Sequence, residues 1–324
     1  MTAAADAAVE PGSAASPTPH PRRTEPGTAS FTAHNIRLDD GSLTKAEVGE
    51  TIDRHPWFLA AKRILDATCQ GPRNKIRLLD LGCLEGGYSV EFARLGYRTL
   101  GLDVRDANIA ACRYVQSRVR AESLEFVQDD AWNVERYGEF DATFCCGLLY
   151  HLDKPREFLR MLSRVTRRTL ILQTHFAEAK DPPAWIRPRR LRRAIARALP
   201  LRHTGRTTHR LSSLVENEGL PGRWFSEFRN ERAYRDRANR RWASWNNRQS
   251  FWIQREYLIQ AIRDVGFDSV LEQYDGLGSD IAEEMTVGSY RVSGRSTFIG
   301  IKTSFLDEAL CGPKIRSPPG VRRR

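Results

Sequence analysis

The sequence predicts a doubly wound α/β domain, and three observations carry that prediction. Between residues 75 and 176, short apolar runs alternate with segments of helical periodicity. The first run ends in an acid and turns on glycines, in "LLDLGCLEGG" at residues 78–87. A second acid, Asp103 in "GLDVR", closes the next run 21 residues after Gly82. Strands separated by helices imply parallel pairing through right-handed crossovers. Folds of that kind bind ligands beyond the carboxyl ends of their strands.

Each element follows in chain order. Residues 1–30 are mostly Ala, Pro, Gly, Ser and Thr, with almost nothing to bury, and are expected to be a disordered tail. Residues 31–74 form a helical cap, because "PWFLAAKRILDAT" sets Phe58, Leu59, Ile64 and Leu65 at helical spacing. Residues 75–178 are the core: "IRLLDL", "YRTLGLDV", "LEFVQDD", "DATFCC" and "TLILQT" as strands. Between them "GYSVEFARLG", which ends on Gly96, "ANIAACRYVQSRVRA" and "DKPREFLRMLSRV" read as helices.

Residues 179–252 break the rhythm and are rich in Arg and aromatics, which predicts a helical insertion acting as a lid or substrate subdomain. Within it, "RPRRLRRAIARALP" places Leu191, Ile195 and Leu199 on one face and Arg189, Arg190, Arg193 and Arg197 on others, a basic amphipathic helix. Residues 253–304 return to the core, with a helix in "REYLIQAIRDVGF" and two strands, "SVLEQYD" and "TFIGIKT", that suit an antiparallel pair. Residues 305–324 are a basic tail.

The net charge of +11 is not spread over the molecule. Residues 181–210 carry +8 and residues 311–324 carry +5, leaving the remainder at about −2. The basicity therefore belongs to two appendages, which suit an RNA or an anionic membrane surface as well as an acidic small substrate. The six cysteines show no CxxC pair and no metal-ligand rhythm with the histidines, so no metal site or disulfide framework is expected. Without a secretory start or a run long enough to span a membrane, a cytoplasmic protein is expected.

The glycine turn separates two ligand classes. A dinucleotide fingerprint, GxGxxG, needs its second glycine so that the backbone approaches a pyrophosphate. Here the series runs Gly82, Cys83, Leu84, Glu85, Gly86, Gly87, with leucine at that place. The alternative pattern, DxGxxxG through Asp80, Gly82 and Gly86, leaves room for an adenosine with an amino-acid tail, as in S-adenosylmethionine. Asp103 is placed to accept from ribose hydroxyls. Asp129 and Asp130, in "FVQDDAW", compete for the adenine position, one of them being read as a helix cap.

With these residues the sequence resembles the class I S-adenosylmethionine-dependent methyltransferases, through "LLDLGCLEGG", "GLDVRDANI", "FVQDDA" and "FDATFCCGLLYHL". The resemblance covers roughly residues 75–176 and 253–304. The span from Phe31 also looks like a bacterial branch marked by "LEGG", "LLYHL" and a late "SFW". It implies a Rossmann-like, seven-stranded sheet with S-adenosylmethionine as cofactor. It further implies that Asp80, Gly82, Cys83 and Gly86 belong to the methionine-binding loop and that Asp103 holds the ribose. Asp130 and Ala131 would border the adenine, and Cys146 and Gly147 the cofactor at strand four. Leu84 at the usual middle glycine puts the loop's backbone path in question and makes Glu85 an extra candidate contact for the cofactor's ammonium group.

Methyl transfer from a sulfonium is an in-line displacement that requires alignment and exclusion of water, with a base only for a hydroxyl or a protonated nitrogen. Tyr150 and His151 in "LLYHL" and His175 in "LQTHF" follow strands four and five and are the candidates for the catalytic side. Trp224, Trp245 and Trp252 are candidates to stack on a planar acceptor. The expected reaction is methylation at O or N of a small or lipid-linked metabolite. An RNA-modifying enzyme is the alternative, because "LLYH" is similar to a segment of tRNA wobble-uridine carboxymethyltransferases, whose carboxylated cofactor would need arginines such as Arg105. A methyltransferase fold that only binds is the second alternative.

Overall fold

The computed structural model describes residues 30–45, 49–179, 211–273 and 294–303. Ten strands run in chain order: β1 Arg77–Leu81, β2 Arg98–Asp103, β3 Leu124–Gln128, β4 Phe140–Cys146, β5 Thr166–His175, β6 Val215–Asn217, β7 Leu220–Ser226, β8 Gln249–Ile253, β9 Ser269–Gln273 and β10 Arg295–Ile301. Among the described residues six α-helices accompany them: α1 Pro56–Thr68, α2 Gly87–Arg94, α3 Asp106–Gln116, α4 Pro155–Val165, α5 Glu231–Arg235 and α6 Arg255–Asp264.

Seven strands form one sheet in the order β3-β2-β1-β4-β5-β10-β9. The first five pair in parallel, and β10 runs antiparallel to both β5 and β9. This is the doubly wound sheet that the alternation predicts, and its order reverses between β1 and β4. Register sets Asp80 opposite Gly101 and Asp103 opposite Gln128, so the carboxyl ends of β1, β2 and β3 open on one edge. Crevices at such a reversal are where ligands enter these sheets.

Each face of the sheet is covered because its strands are apolar on both sides. One core gathers Leu78, Phe144 and Ile171 from the sheet with Phe58 and Leu65 of α1, Phe92 of α2 and Val115 of α3. The other gathers Leu79, Leu172 and Phe298 with Phe158 and Leu162 of α4, Leu258 and Ile262 of α6, and Leu220, Phe251 and Ile253. Leu220 and Phe251 belong to the insertion and Ile253 follows it directly, so the insertion is welded to the domain by its own apolar strands.

That part of the insertion departs from the helical expectation. β6, β7 and β8 make a three-stranded antiparallel sheet, and α5 is a single short helix. The reason is pairwise: Trp224 faces Phe251 and Arg223 faces Trp252 across β7 and β8, and cross-strand aromatic pairs stabilise a sheet. Main-chain bonding extends the effect, since Phe251 N donates to Leu152 O at 2.8 Å.

Two further differences concern ends. The expected cap is α-helical from Pro56, after a 3₁₀ turn at Ile52–Arg54; residues 30–45 run as a non-helical strap with a bridge between Arg37 and Leu43. α3 ends at Gln116, short of the "RVRA" that continues its periodicity. The expected amphipathic helix at residues 187–200, the tail at 1–29 and the basic tail at 305–324 lie outside the described residues.

Candidate functional site

A cavity of about 450 Å³ opens at the carboxyl edge of the sheet, small for a ligand site but within the usual range of about 300–1,000 Å³. Its floor is made by Asp80, Gly82 and Leu84 after β1, Asp103 and Val104 after β2, Asp130 and Ala131 after β3, and Cys146 and Gly147 after β4. Residues 241–247 of the insertion, with His34 and Trp57, complete the enclosure. Four strand ends that sequence spacing brought into register thus share one space.

The turn keeps its left-handed path despite the leucine. Gly82 and Gly86 have φ of 78° and 77°, and Leu84 sits at 52°, a region that a side chain enters at a cost of roughly 1–2 kcal/mol. Its amide is held by Asp103, whose Oδ2 accepts from Leu84 N at 3.0 Å. Asp103 Oδ1 accepts from Arg105 N at 2.9 Å and Asn108 Nδ2 at 3.0 Å. At Gly86 only glycine fits, because a Cβ there would lie 2.7 Å from Phe126 Cζ.

Buried charge is concentrated here. Asp80 is 2% exposed and accepts from Ser89 Oγ at 2.5 Å. Burial pushes its carboxyl up to about 7, with the neighbouring Asp103 carboxylate adding to the rise. Asp103 is likewise raised by burial, against the bonds from Arg105, Asn108 and Leu84.

Four expected cofactor contacts, Cys83, Glu85, Gly86 and Asp129, do not line this cavity. Cys83 turns its thiol to Cys112, 3.9 Å away, and is 1% exposed. Asp129 accepts from Asn133 Nδ2 at 2.7 Å and Tyr137 O–H at 2.8 Å, so Asp130 is the acid that both lines the cavity and caps the following turn through Trp132 N.

Glu85 is the clearest correction: it is fully buried and its oxygens are already taken. Oε1 accepts from Thr32 N at 2.6 Å, Thr32 Oγ1 at 2.8 Å and Arg241 Nη1 at 2.9 Å, and Oε2 from Ala33 N at 3.1 Å and His34 N at 2.9 Å. Burial works to raise its pKa, but these amide donors outweigh it and hold the group low. An ammonium has no lone pair left to bind there; Glu85 instead ties the 30–45 strap and the insertion to the glycine turn.

A second cavity of about 1,090 Å³ adjoins the first. Tyr150, His151, Arg241, Trp242 and Ala243 line both. Beyond them the second is lined by His175, Trp252, Phe225, Glu227 and Phe228, with Arg229, Arg232 and Arg240 toward its rim. Tyr150 lies between the two histidine rings, at centroid distances of 4.2 Å from His151 and 4.6 Å from His175.

The three tryptophans separate. Trp245 lines the first cavity with the Arg105 guanidinium 4.9 Å over its ring. Trp252 lines the second, stacked at 4.7 Å on His175 and at 4.7 Å on Phe225. Trp224 reaches neither and packs edge-on to Phe251 at 5.1 Å, a core role.

The histidines differ in kind. His175 Nδ1–H donates to Gly294 O at 3.1 Å, and burial together with the Arg295 charge pushes its pKa down to about 3. It is a neutral wall. His151 Nδ1 is 2.8 Å from Glu227 Oε1, a carboxylate the sequence reading did not single out. Burial raises the Tyr150 hydroxyl, which therefore stays protonated.

Two arginines beside the cavity were equally illegible as such. Arg105 donates to Arg237 O at 2.9 Å and Ala243 O at 2.6 Å, so its guanidinium serves the insertion's backbone and not a carboxylated cofactor. Arg295, at the start of β10, bonds Gln173 Oε1 at 3.0 Å and lies 4.8 Å over the Trp57 ring. Among the described residues no group of three or more His, Cys, Asp or Glu is placed to hold a metal ion, and no helix is long and apolar enough to cross a membrane.

Geometry of this kind defines a nucleoside-cofactor pocket on a doubly wound sheet. Residues 79–171 match the methyltransferase domain family. A methyltransferase-named protein of Geobacillus sp. (strain WCH70) is 28% identical over 96 residues, 29% of this chain and 38% of its own. The mitochondrial ubiquinone biosynthesis O-methyltransferase of Dictyostelium discoideum is 24% identical over 107 residues, 30% of this chain and 33% of its own. The chain thus spans little more than a third of the length of these relatives. The N-terminal domain of EvdMO1, crystallised in the presence of SAH and D-fucose, superposes with a TM-score of 0.54 at 19% identity, covering 86% of this chain and 92% of that one. Residues 79–171 thus carry the match to a methyltransferase domain, on a fold shared with that neighbour.

Proposed function

We propose that this protein transfers the methyl group of S-adenosylmethionine to O or N of a small or lipid-linked metabolite seated in the second cavity. One observation carries the reading: two cavities of different character meet at the Tyr150–His151 wall. The first is floored by carboxylates and glycine backbone. The second is framed by aromatics and arginines.

The residues suit the cofactor. Asp103 would take the ribose hydroxyls, Asp130 and Ala131 would border the adenine, and the turn from Gly82 to Leu84 would receive the amino-acid end, with Asp80 below it. Bound there, the sulfonium supplies an electrophilic methyl group. The protein's share of the work is alignment and removal of water. Residues 241–247 perform it as a roof, pinned by Arg241 to Glu85 and by Arg105 to two carbonyls. A small acceptor also agrees with the names of the relatives, one of which acts in ubiquinone biosynthesis.

Calorimetric titration with S-adenosylmethionine, with NAD as control, tests the first half. Micromolar binding of the former alone is expected. Transfer of a labelled methyl group to the small-molecule fraction of a cell extract, and not to bulk tRNA, tests the second.

A further inference from the structure

The structure assigns the acceptor-side chemistry to a pair: we infer that His151 is a general base positioned by Glu227, and that the acceptor atom is a hydroxyl oxygen. The inference rests on the proposed methyl transfer and adds to it the atom and the proton's destination.

The pair is built from distant parts of the chain. His151 ends a 3₁₀ turn after β4, and Glu227 follows β7 in the insertion, 76 residues on. The Glu227 side chain is 3% exposed and the His151 side chain 15%. Glu227 Oε1 also accepts from Ser250 Oγ at 2.8 Å, while its Oε2 lies 3.4 Å from Ser244 N. His151 is fixed from behind as well, because Asn247 Nδ2 donates to its carbonyl at 2.9 Å. A carboxylate on Nδ1 holds the imidazole with Nδ1 protonated, which leaves a basic Nε2 on a residue that lines both cavities.

That tautomer is useful only if a proton leaves the acceptor during reaction. A hydroxyl qualifies, since its proton departs as the new bond forms. In the step, the hydroxyl oxygen forms a bond to the methyl carbon and the carbon–sulfur bond breaks, its electron pair staying on sulfur. The proton passes to His151 Nε2, and the resulting imidazolium is stabilised by the buried Glu227 carboxylate. An ammonium acceptor fits less well, because Arg295 stands beside Tyr150 and Arg229, Arg232, Arg240 and Arg241 line the second cavity against Glu227 and Asp236. His175 does not substitute for His151, being held neutral by burial and Arg295.

The charged and titratable groups facing His151 are Glu227 from the insertion, Tyr150 on its own turn, His175 from β5 and Arg295 from β10. Among the described residues, Glu227 is the one of these that bonds the ring.

The test needs no acceptor in hand. The full chain, labelled with ¹⁵N-histidine and saturated with S-adenosylhomocysteine, is titrated by NMR beside Glu227→Gln and Glu227→Asp. The wild type should show His151 as the Nδ1–H tautomer. Glu227→Gln, whose amide can donate as well as accept, should raise the share of the Nε2–H tautomer, Glu227→Asp should restore Nδ1–H, and the His175 signals should not move. A His151 tautomer population unchanged in Glu227→Gln would overturn the pairing.

Turnover then tests the chemistry, with labelled S-adenosylmethionine and a panel of pyranoses, phenols and primary amines. The expected product is a methyl ether, its kcat reduced roughly 10²–10⁴-fold in His151→Ala with cofactor affinity kept. A methylated amine or carbon, or ether formation that survives His151→Ala, would overturn the assignment while leaving methyl transfer intact. Failure of the wild type to bind S-adenosylmethionine would instead remove the reading beneath it.

Discussion

The floor of the first cavity and the wall it shares with the second lie side by side but are made in opposite ways. The floor comes from strand ends within 70 residues of one another, from Asp80 to Gly147, and its buried acids Asp80 and Asp103 are bonded to groups nearby in sequence or on the adjacent strand end, with Asp130 taking one further bond from Asn246 of the insertion at 3.0 Å. The wall joins the β4 turn to an insertion some 75–95 residues later, through His151 with Glu227 and Asn247. Local contacts cost little chain entropy to form, whereas long-range ones depend on the whole fold being in place. The difference teaches that binding and chemistry can fail separately here.

Substitutions that break the floor should have the largest effects. Gly86→Val forces a β-branched side chain into a left-handed position against Phe126, and a loss of about 3 kcal/mol or more is expected in urea unfolding. Asp80→Asn sharpens the electrostatic part. Asp80's folded pKa, about 7, lies above its unfolded value near 4, so the folded state binds the extra proton between those values. Its contribution to stability is therefore present at low pH and is lost as pH rises through 7. Asp80→Asn should match the wild type near pH 4 and exceed it near pH 8, on the order of 2 kcal/mol, by thermal melts across that window.

Smaller effects separate floor from roof. Asp103→Ala orphans the Leu84 and Arg105 amides and should weaken S-adenosylmethionine binding by about 1–3 kcal/mol in calorimetry. Arg241→Ala leaves Glu85 its amide donors but frees the roof, and should cost about 1 kcal/mol of that affinity. Trp242, 60% exposed at the junction of the cavities, should change stability by less than about 0.5 kcal/mol when replaced by alanine, with any effect confined to acceptor KM. A large loss of cofactor affinity in Trp242→Ala would erase the distinction between the two regions.

Legibility follows the same division. All seven strands of the main sheet, five helices and the floor residues Asp80, Gly82, Asp103, Asp130 and Cys146 were readable from periodicity, glycine placement and strand-end acids. Glu85 was misread because the sequence shows an acid in a binding loop but not the strap that consumes it. Trp224, Trp245 and Trp252 look alike in the sequence, and only packing sends them to the core, the first cavity and the second.

By itself, then, the sequence determined the sheet, its carboxyl edge and the chemical type of the ligand floor. Those features depend on short-range periodicity and on turns that glycine alone permits. Only the tertiary structure decided that Glu227 meets His151, that Arg105 and Arg241 hold a roof, and that β6, β7 and β8 form a sheet beside the core. Such pairings are set by which long-range contacts best satisfy buried charge and apolar area together, and no local pattern records that outcome.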